Sequence, residues 1–465
     1  MQKLVKVALG AAMLTSSVAV SAASFIVMGS AGADLDAAVT KAGGTVKKRL
    51  TAIDAVVAEG GANFKAAVAR QAGVQGAMPN LVIDWVRNEK VDAEAVSEAV
   101  NPPNNPPGSI DSRFNLQWGH TAVKAVDAWN AGFRGAGARV AILDGGFSLG
   151  HFETAGRFDP SCTADMTGEG IEYGPNAGDT TGIFSHGQHT SGTVGAPQNN
   201  VGTIGVAPDV TRCLVKVLFN AGSGSFGDVA EGIVFAANQN VDVISMSLGG
   251  SIEKSGSVAD GYTAGDAVEL RQLIDRAVSY AYRRGALVIV SAGNDGSNAD
   301  SPKATGTPAD LIHLPSDAPQ AMSISATAPQ GWAKAPNTTF LDNPASYTNH
   351  GRSVINLAAP GGDITPSVTG VCNVSGIVRN CRTFDLVFSS GGKVGANSFY
   401  YWSAGTSMAT PHVSGVAALI VSKYGKMHPA QLRAYLNAGA DDLGQPGNDP
   451  FYGAGRVNAL GSISK

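Results

Sequence analysis

Four short runs in the second half of the chain are mostly apolar and lack the in–out alternation of a half-exposed strand: Val140–Leu143, Cys213–Leu218, Val241–Ser247 and Ala286–Ser291. Strands read this way when both faces are covered, which predicts a mostly parallel sheet between helical layers, an α/β fold. The intervening segments supply the helices. One starts near Asp266, places Leu270, Ile274, Ala277 and Ala281 on one face, and stops at Arg283-Arg284 before Gly285, with cations in the last turn and glycine just past it. Others are expected over Asp228–Asn238 and from Ser407. Hydrophobic residues at 44%, charged residues at 15% and a net charge of -4 allow a large core and exclude both disorder and a strongly basic nucleic-acid surface.

The chain before these runs divides further. Residues 1–22 carry Lys3 and Lys6, an apolar stretch from Val7 to Val20, and small residues at Ser21-Ala22-Ala23. This is the pattern of a cleaved secretory signal, and no later stretch offers 18 consecutive apolar residues for membrane insertion. The product is therefore expected outside the cytoplasm, extracellular or periplasmic, where Cys162, Cys213, Cys372 and Cys381 form two disulfides. Spacing suggests Cys372 with Cys381 as a local clip and Cys162 with Cys213 by elimination, although three connectivities remain open. Residues 23–100 hold a βαββαβ pattern: strand Ser24–Gly29, helix Asp34–Ala42, one or two strands in Thr45–Glu59, a helix capped by Asn63 through Ala72, and a closing strand Leu81–Val86. That pattern reads as a small ferredoxin-like α+β unit. Residues 101–112 begin with Asn101-Pro102-Pro103-Asn104-Asn105-Pro106-Pro107-Gly108, a linker that sustains neither helix nor strand. Residues 113–465 form the main domain.

Chemistry-bearing residues sit at the ends of these elements. Asp144 ends the first run, where ligands of open α/β folds bind. His186 and His189 stand three apart, a spacing that also suits a metal pair, but no Glu lies between them as in a zincin. Ser407 lies in Gly405-Thr406-Ser407-Met408-Ala409-Thr410-Pro411-His412 at the start of a helix. Pro411 is expected to be tolerated there because the first amides of a helix lack partners. Gly222-Ser223-Gly224-Ser225-Phe226-Gly227 matches a dinucleotide fingerprint, yet the acid about 20 residues on, Asp242, stands at the start of the next strand instead of its end.

The order Asp144, His186, Ser407 is that of the subtilisin arrangement. Over nearly everything past the signal the chain resembles a subtilisin-like serine protease with an inhibitory propeptide. Val140-Ala141-Ile142-Leu143-Asp144, His186-Gly187-Gln188-His189 and Gly405–Gly415 match the three family signatures. Gly145 and Gln188 depart from the usual residues without removing a reacting group. The resemblance implies a three-layer subtilisin-like fold and a catalytic set of Asp144, His186 and Ser407, with Asn294 as oxyanion donor. It makes Ser223-Gly224 and Ser247-Leu248-Gly249 two edges that hold an extended substrate, with Asp295 at the rim of the first pocket. It also implies a structural calcium ion held by Glu153, the Asn199 side chain and the carbonyls of Pro197, Val201 and Thr203. The unit 23–100 becomes a propeptide that occupies the cleft until it is cut away, at a bond between Asn88 and Ser112. The expected protein is a monomeric, secreted endopeptidase of broad specificity acting on proteins and peptides. The competing reading is an inactive homologue serving as a binding module. The stretch Gly361–Gly395 is longer than the family's minimal connection and reads as a disulfide-clipped hairpin.

Overall fold

The computed structural model describes residues 23–87, 90–91, 96–98, 111–300 and 311–465. The expected signal (1–22) and most of the expected linker lie outside them.

The N-terminal unit contains β1 (Ala23–Gly29), α1 (Leu35–Lys41), β2 (Thr45–Leu50), β3 (Ala55–Gly60), α2 (Phe64–Val68) and β4 (Val74–Pro79). Its strands pair antiparallel in the order β2-β3-β1-β4, the ferredoxin-like arrangement. Strand periodicity splits β1 between two cores. Phe25 and Val27 join Leu35, Val39, Phe64 and Val68 under the two helices, while Ile26 and Met28 enter the core of the main domain.

Two expectations for this unit fail. Asn63 is already in a near-helical conformation (φ -95°, ψ -1°), its side chain makes no capping bond, and α2 ends at Val68 instead of Ala72. The fourth strand of the unit is Val74–Pro79, not Leu81–Val86. The latter contains β5 (Val82–Asp84), which leaves the unit and pairs elsewhere. Its inward residues Leu81 and Trp85 are buried against the main domain; an apolar pattern shows that a strand is covered, not what covers it. Two more short strands follow, β6 (Lys90–Val91) and β7 (Val96–Glu98).

The main domain carries β8 (Arg139–Asp144), α3 (His186–Gly195), β9 (Thr211–Lys216), β10 (Ser223–Ser225), α4 (Phe226–Asn238), β11 (Val243–Met246), α5 (Ala264–Arg283), β12 (Leu287–Ser291), β13 (Met322–Ala328), β14 (Ile355–Pro360), β15 (Val387–Val394), β16 (Asn397–Ala404) and α6 (Thr406–Tyr424). Strands β14, β13, β12, β11, β8 and β9 lie side by side and parallel, as the apolar runs predicted. The two faces separate residue by residue. Val140 and Ile142 pack with α6 on one side, and Ala141 and Leu143 with α4 and α5 on the other. The N-terminal unit rests on α4 and α5. There Lys48 Nζ reaches Asp228 and Glu231, both at 2.7 Å, and the Arg276 guanidinium donates to the carbonyls of Gly29 (3.1 Å) and Ile53 (3.2 Å).

Both disulfides form in the pairing that spacing suggested, Cys162–Cys213 and Cys372–Cys381. The second closes the hairpin Val371–Val374/Ile377–Asn380 within the long connection. The first ties β9 to a segment 51 residues earlier. Replacing Cys162 and Cys213 together by serine should lower unfolding free energy by about 2–5 kcal/mol in a denaturant titration; an unchanged midpoint would contradict a stabilising role.

Candidate active site

Asp144 ends β8 fully buried. Its Oδ1 accepts from His186 Nδ1 (2.6 Å) and the Gly145 amide (2.7 Å), and its Oδ2 from Thr190 Oγ1 (3.0 Å). His186 opens α3, which Ser185 caps through its hydroxyl on the Gln188 amide (3.1 Å). Gly187 lets that first turn approach the loop after β8, because a Cβ there would come within 2.5 Å of the Gly146 carbonyl. With Nδ1–H committed to the carboxylate, Nε2 is the nitrogen left to accept a proton. His189 faces the other way, between the carbonyls of Val387 and Tyr401 at 3.2 Å each, and burial pushes its pKa down to about 3. It is a neutral core residue. Among the described residues no group of three or more His, Cys, Asp or Glu side chains could hold a metal.

Ser407 sits in the first turn of α6, 3% exposed. Pro411 is accommodated for a reason other than the expected one. As the sixth helical residue it would ordinarily donate to the Ser407 carbonyl four residues back. Lacking an N–H, it leaves that carbonyl open, and Ser247 Oγ fills it at 2.7 Å. Asn294 is fixed by the same turn: its Oδ1 accepts from the Thr406 amide (2.8 Å) and Thr406 Oγ1 (2.9 Å). Those two donors identify the side-chain oxygen, so the Nδ2 donors point into the cleft. The adjacent Gly293 (φ 102°) is in the left-handed region, and a Cβ there would collide with Asn349 and His313.

The cleft already contains a peptide, the protein's own. Strand β5 pairs antiparallel with β10, Ser223 opposite Asp84 and Gly224 opposite Ile83. The Trp85 amide donates to the Gly222 carbonyl (3.1 Å), and the Gly249 amide donates to the Trp85 carbonyl (2.9 Å). Two residues on, Asn294 Nδ2 donates to the Arg87 carbonyl at 2.9 Å. Trp85, Arg87, Gly249, Asn294, Thr406 and Ser407 line one recess, with Asp295 at its exposed rim. Thus Ser223, Gly224 and Gly249 pair with the chain's own strand, while Ser247 and Leu248 are fully buried. The glycine-rich segment 222–227 serves a peptide strand. Asp242 accepts from the Arg139 amide (2.9 Å) where the strands begin, at the end of the sheet opposite Asp144.

The expected calcium ligands converge only partly through side chains. Glu153 is fully buried. Its Oε1 accepts from the Thr203 amide (2.8 Å) and Tyr400 Oη (3.0 Å), and its Oε2 from Asn199 Nδ2 (3.3 Å). Asn199 Oδ1 accepts from the Val201 amide (3.0 Å). Asp111, which the sequence reading missed, joins this loop: its Oδ1 accepts from the amides of Asn199 (3.0 Å) and Asn200 (2.6 Å), and its Oδ2 is buried without a hydrogen-bond partner. Two buried carboxylates bridged by Asn199, one with an orphaned oxygen, are the kind of oxygen donor that fits a hard cation. Thr190 was also missed, although its place one turn after His186 on α3 is readable from helical spacing.

A sequence profile of the subtilase family matches residues 135–455. Thermitase of Thermoactinomyces vulgaris is 30% identical over 78% of this chain and 99% of its own length. Subtilisin E of Bacillus subtilis is 31% identical over 74% of this chain and 70% of its own. Among solved structures, the epidermin leader peptide processing serine protease of Staphylococcus aureus superposes with a TM-score of 0.70 at 19% identity, covering 95% of this chain and 98% of that one. Fervidolysin from Fervidobacterium pennivorans, described as a keratinolytic enzyme related to subtilisin, gives 0.65 at 20% identity, covering 96% and 61%.

Thr190→Val removes one neutral donor from Asp144 without changing the fold. The expected effect on peptide hydrolysis is a drop in kcat of about 3–10-fold, the worth of one hydrogen bond, with KM unchanged; an unchanged kcat would show that Thr190 does not help hold the carboxylate.

Proposed function

As the chain belongs to the subtilase family of serine peptidases, we propose that it is a secreted endopeptidase, made as a zymogen, that cleaves proteins through an acyl-enzyme on Ser407 and first cleaves itself between Arg87 and Asn88. The observation that carries this reading is the Arg87 carbonyl on the Asn294 amide. That contact supports reading the peptide bond after Arg87 as the one cut.

In the proposed reaction Ser407 Oγ attacks the carbonyl carbon while His186 Nε2 takes the hydroxyl proton. Asp144 stays ionised, holds the imidazole in the required tautomer and stabilises the imidazolium. The carbonyl oxygen becomes an oxyanion held by Asn294 Nδ2 and the Ser407 amide, which at the start of a helix has no intrahelical acceptor. The proton on His186 passes to the leaving amine, the C–N bond breaks, and water then hydrolyses the ester by the same route. The His186–Asp144 pair and the Thr406–Asn294 bonds support this reading, and nothing favours the inactive alternative.

Residues 23–87 act in this scheme as the inhibitory propeptide. Substrates replace β5 between Ser223-Gly224 and Ser247–Gly249, where backbone groups supply most of the affinity, which supports broad sequence acceptance. A structural calcium ion bound by Glu153, Asp111 and the 197–203 loop would balance the two buried carboxylates. The protein's disulfides and signal pattern support secretion.

Three outcomes test the reading. A serine-directed phosphonate should label Ser407 alone in mature protein, while Ser407→Ala should accumulate uncut precursor; an unlabelled folded, matured chain would refute it. Asn294→Ala should lower kcat by about 10²–10³, the loss already known for the corresponding amide in subtilisin. Removing calcium with a chelator should lower the melting temperature by several degrees, reversibly; no shift would exclude the ion.

A further inference from the structure

The apolar run Cys213–Leu218 holds one charged residue, Lys216. Its side chain is fully buried at the end of β9, beside Asp144 in the parallel register. An ammonium taken out of water is strongly unfavourable unless its donors are met. Asn220 Oδ1 meets it at 2.8 Å and Glu169 Oε2 at 3.0 Å. The same Glu169 oxygen accepts from the Asn220 amide (3.0 Å), and the Asn220 carbonyl accepts from Asn176 Nδ2 (2.6 Å). Asn220 is therefore fixed through its side chain, its amide and its carbonyl. It stands in the turn that opens β10, where the Phe219 amide donates to the Ser223 carbonyl (2.8 Å) and the Gly222 amide to the Phe219 carbonyl (2.9 Å). The turn after Asp144 rests on the same group. A Cβ on Gly146 (φ 98°) would lie 3.3 Å from Asn220 Oδ1 and 3.4 Å from Lys216 Nζ. The Gly146 carbonyl in turn accepts from Ser185 Oγ (3.1 Å), the cap of the helix that carries His186.

We propose that Lys216 and Glu169 are positioning residues, whose ion pair sets the Ser223-Gly224 edge in register with the Asp144–His186 side of the cleft. The inference rests on the peptidase reading above and goes beyond it by assigning a role to two residues outside the catalytic set and the substrate edges. An edge that binds through backbone groups works only at hydrogen-bond distance, so its placement must be set from behind. Lys216 can do this because it ends the strand next to Asp144 and reaches the turn into β10. Glu169 is delivered by its own braced loop. Ala164 and Asp165 pair parallel with Val215 and Lys216, and the Asp165 carboxylate accepts from the amides of Thr167 and Gly170, both at 2.8 Å. Loss of either partner removes one restraint on Asn220 and weakens the other's hold. A substrate that reaches β10 then binds to a misplaced edge. One with a single residue before the cut does not reach it, since β10 and Gly222 pair with residues 82–85 of the chain's own tail.

The test uses mature enzyme prepared from full-length precursor, as wild type, Lys216→Met, Glu169→Ala, Glu169→Gln and the Lys216→Met/Glu169→Ala double variant, each checked for native circular dichroism. Two thiobenzyl esters are compared, N-acetyl-arginine and N-acetyl-Ile-Asp-Trp-Val-Arg, the latter being the sequence of residues 83–87. Lys216→Met and Glu169→Ala should each lower kcat/KM for the five-residue ester about three- to tenfold, and for the one-residue ester far less. Glu169→Gln keeps an acceptor and should recover part of the loss. The double variant should be little worse than the poorer single one, because both changes break the same pair. Equal losses on the two esters, as for a merely structural role, would overturn the proposal, as would no loss on either. Losses that multiply in the double variant would overturn it too. If Lys216→Met does not fold, Glu169→Ala decides, since that side chain is 38% exposed. Wild-type enzyme that cleaves neither ester would instead overturn the peptidase reading on which the proposal rests.

Discussion

A parallel sheet buried on both faces forces each strand to be reached by a crossover, so all its strands finish at one edge. That constraint assembles the site. Asp144 ends β8, Ser247 follows β11 directly, and Asn294 lies three residues past β12. The helices that return the chain from this edge also begin there, and α3 and α6 bring His186 and Ser407 at their first turns. Residues from five separate stretches of sequence are set along this edge because the layered core leaves their elements no other direction.

The fine positioning depends on polar groups that cannot be left unpaired once buried. Pro411 opens the Ser407 carbonyl, and Ser247 closes it. Thr406 donates twice to one oxygen of Asn294, which turns the other end of the amide toward the cleft. Asp144 accepts three hydrogen bonds from three residues. Each contact uses a donor or acceptor that would cost free energy if unmade, so the reactive geometry and the stability of the core are satisfied by the same bonds.

The N-terminal unit holds its tail in the cleft by a division of labour along one strand. Alternate residues of β1 bury under the unit's own helices or against α4 and α5, which makes the unit both a domain and a lid on the main core. Its docking is reinforced by Lys48 between two carboxylates. The tail then continues in strand pairing on both sides of Arg87, first with β10 and then with β16. Backbone pairing of this kind makes few demands on sequence, and the only deeply buried side chains in the tail are Leu81, Trp85 and Val96 among the described residues.

The sequence by itself determined the layers and where the candidate reacting groups lie. Apolar runs without alternation required a two-sided sheet, and the three signature segments placed Asp144, His186 and Ser407 at element ends. These features are local, set by periods of two and 3.6 residues and by turn chemistry. Tertiary structure alone decided what those elements meet. It took Leu81–Val86 out of the N-terminal sheet and into the cleft, and it brought Asp111 to the Glu153 loop. It satisfied the Ser407 carbonyl from 160 residues away, and chose Arg87 as the residue on the Asn294 amide. A strand pattern states that backbone groups need partners and that one side needs cover; the partner is fixed only when the folded chain leaves a single edge open at that place.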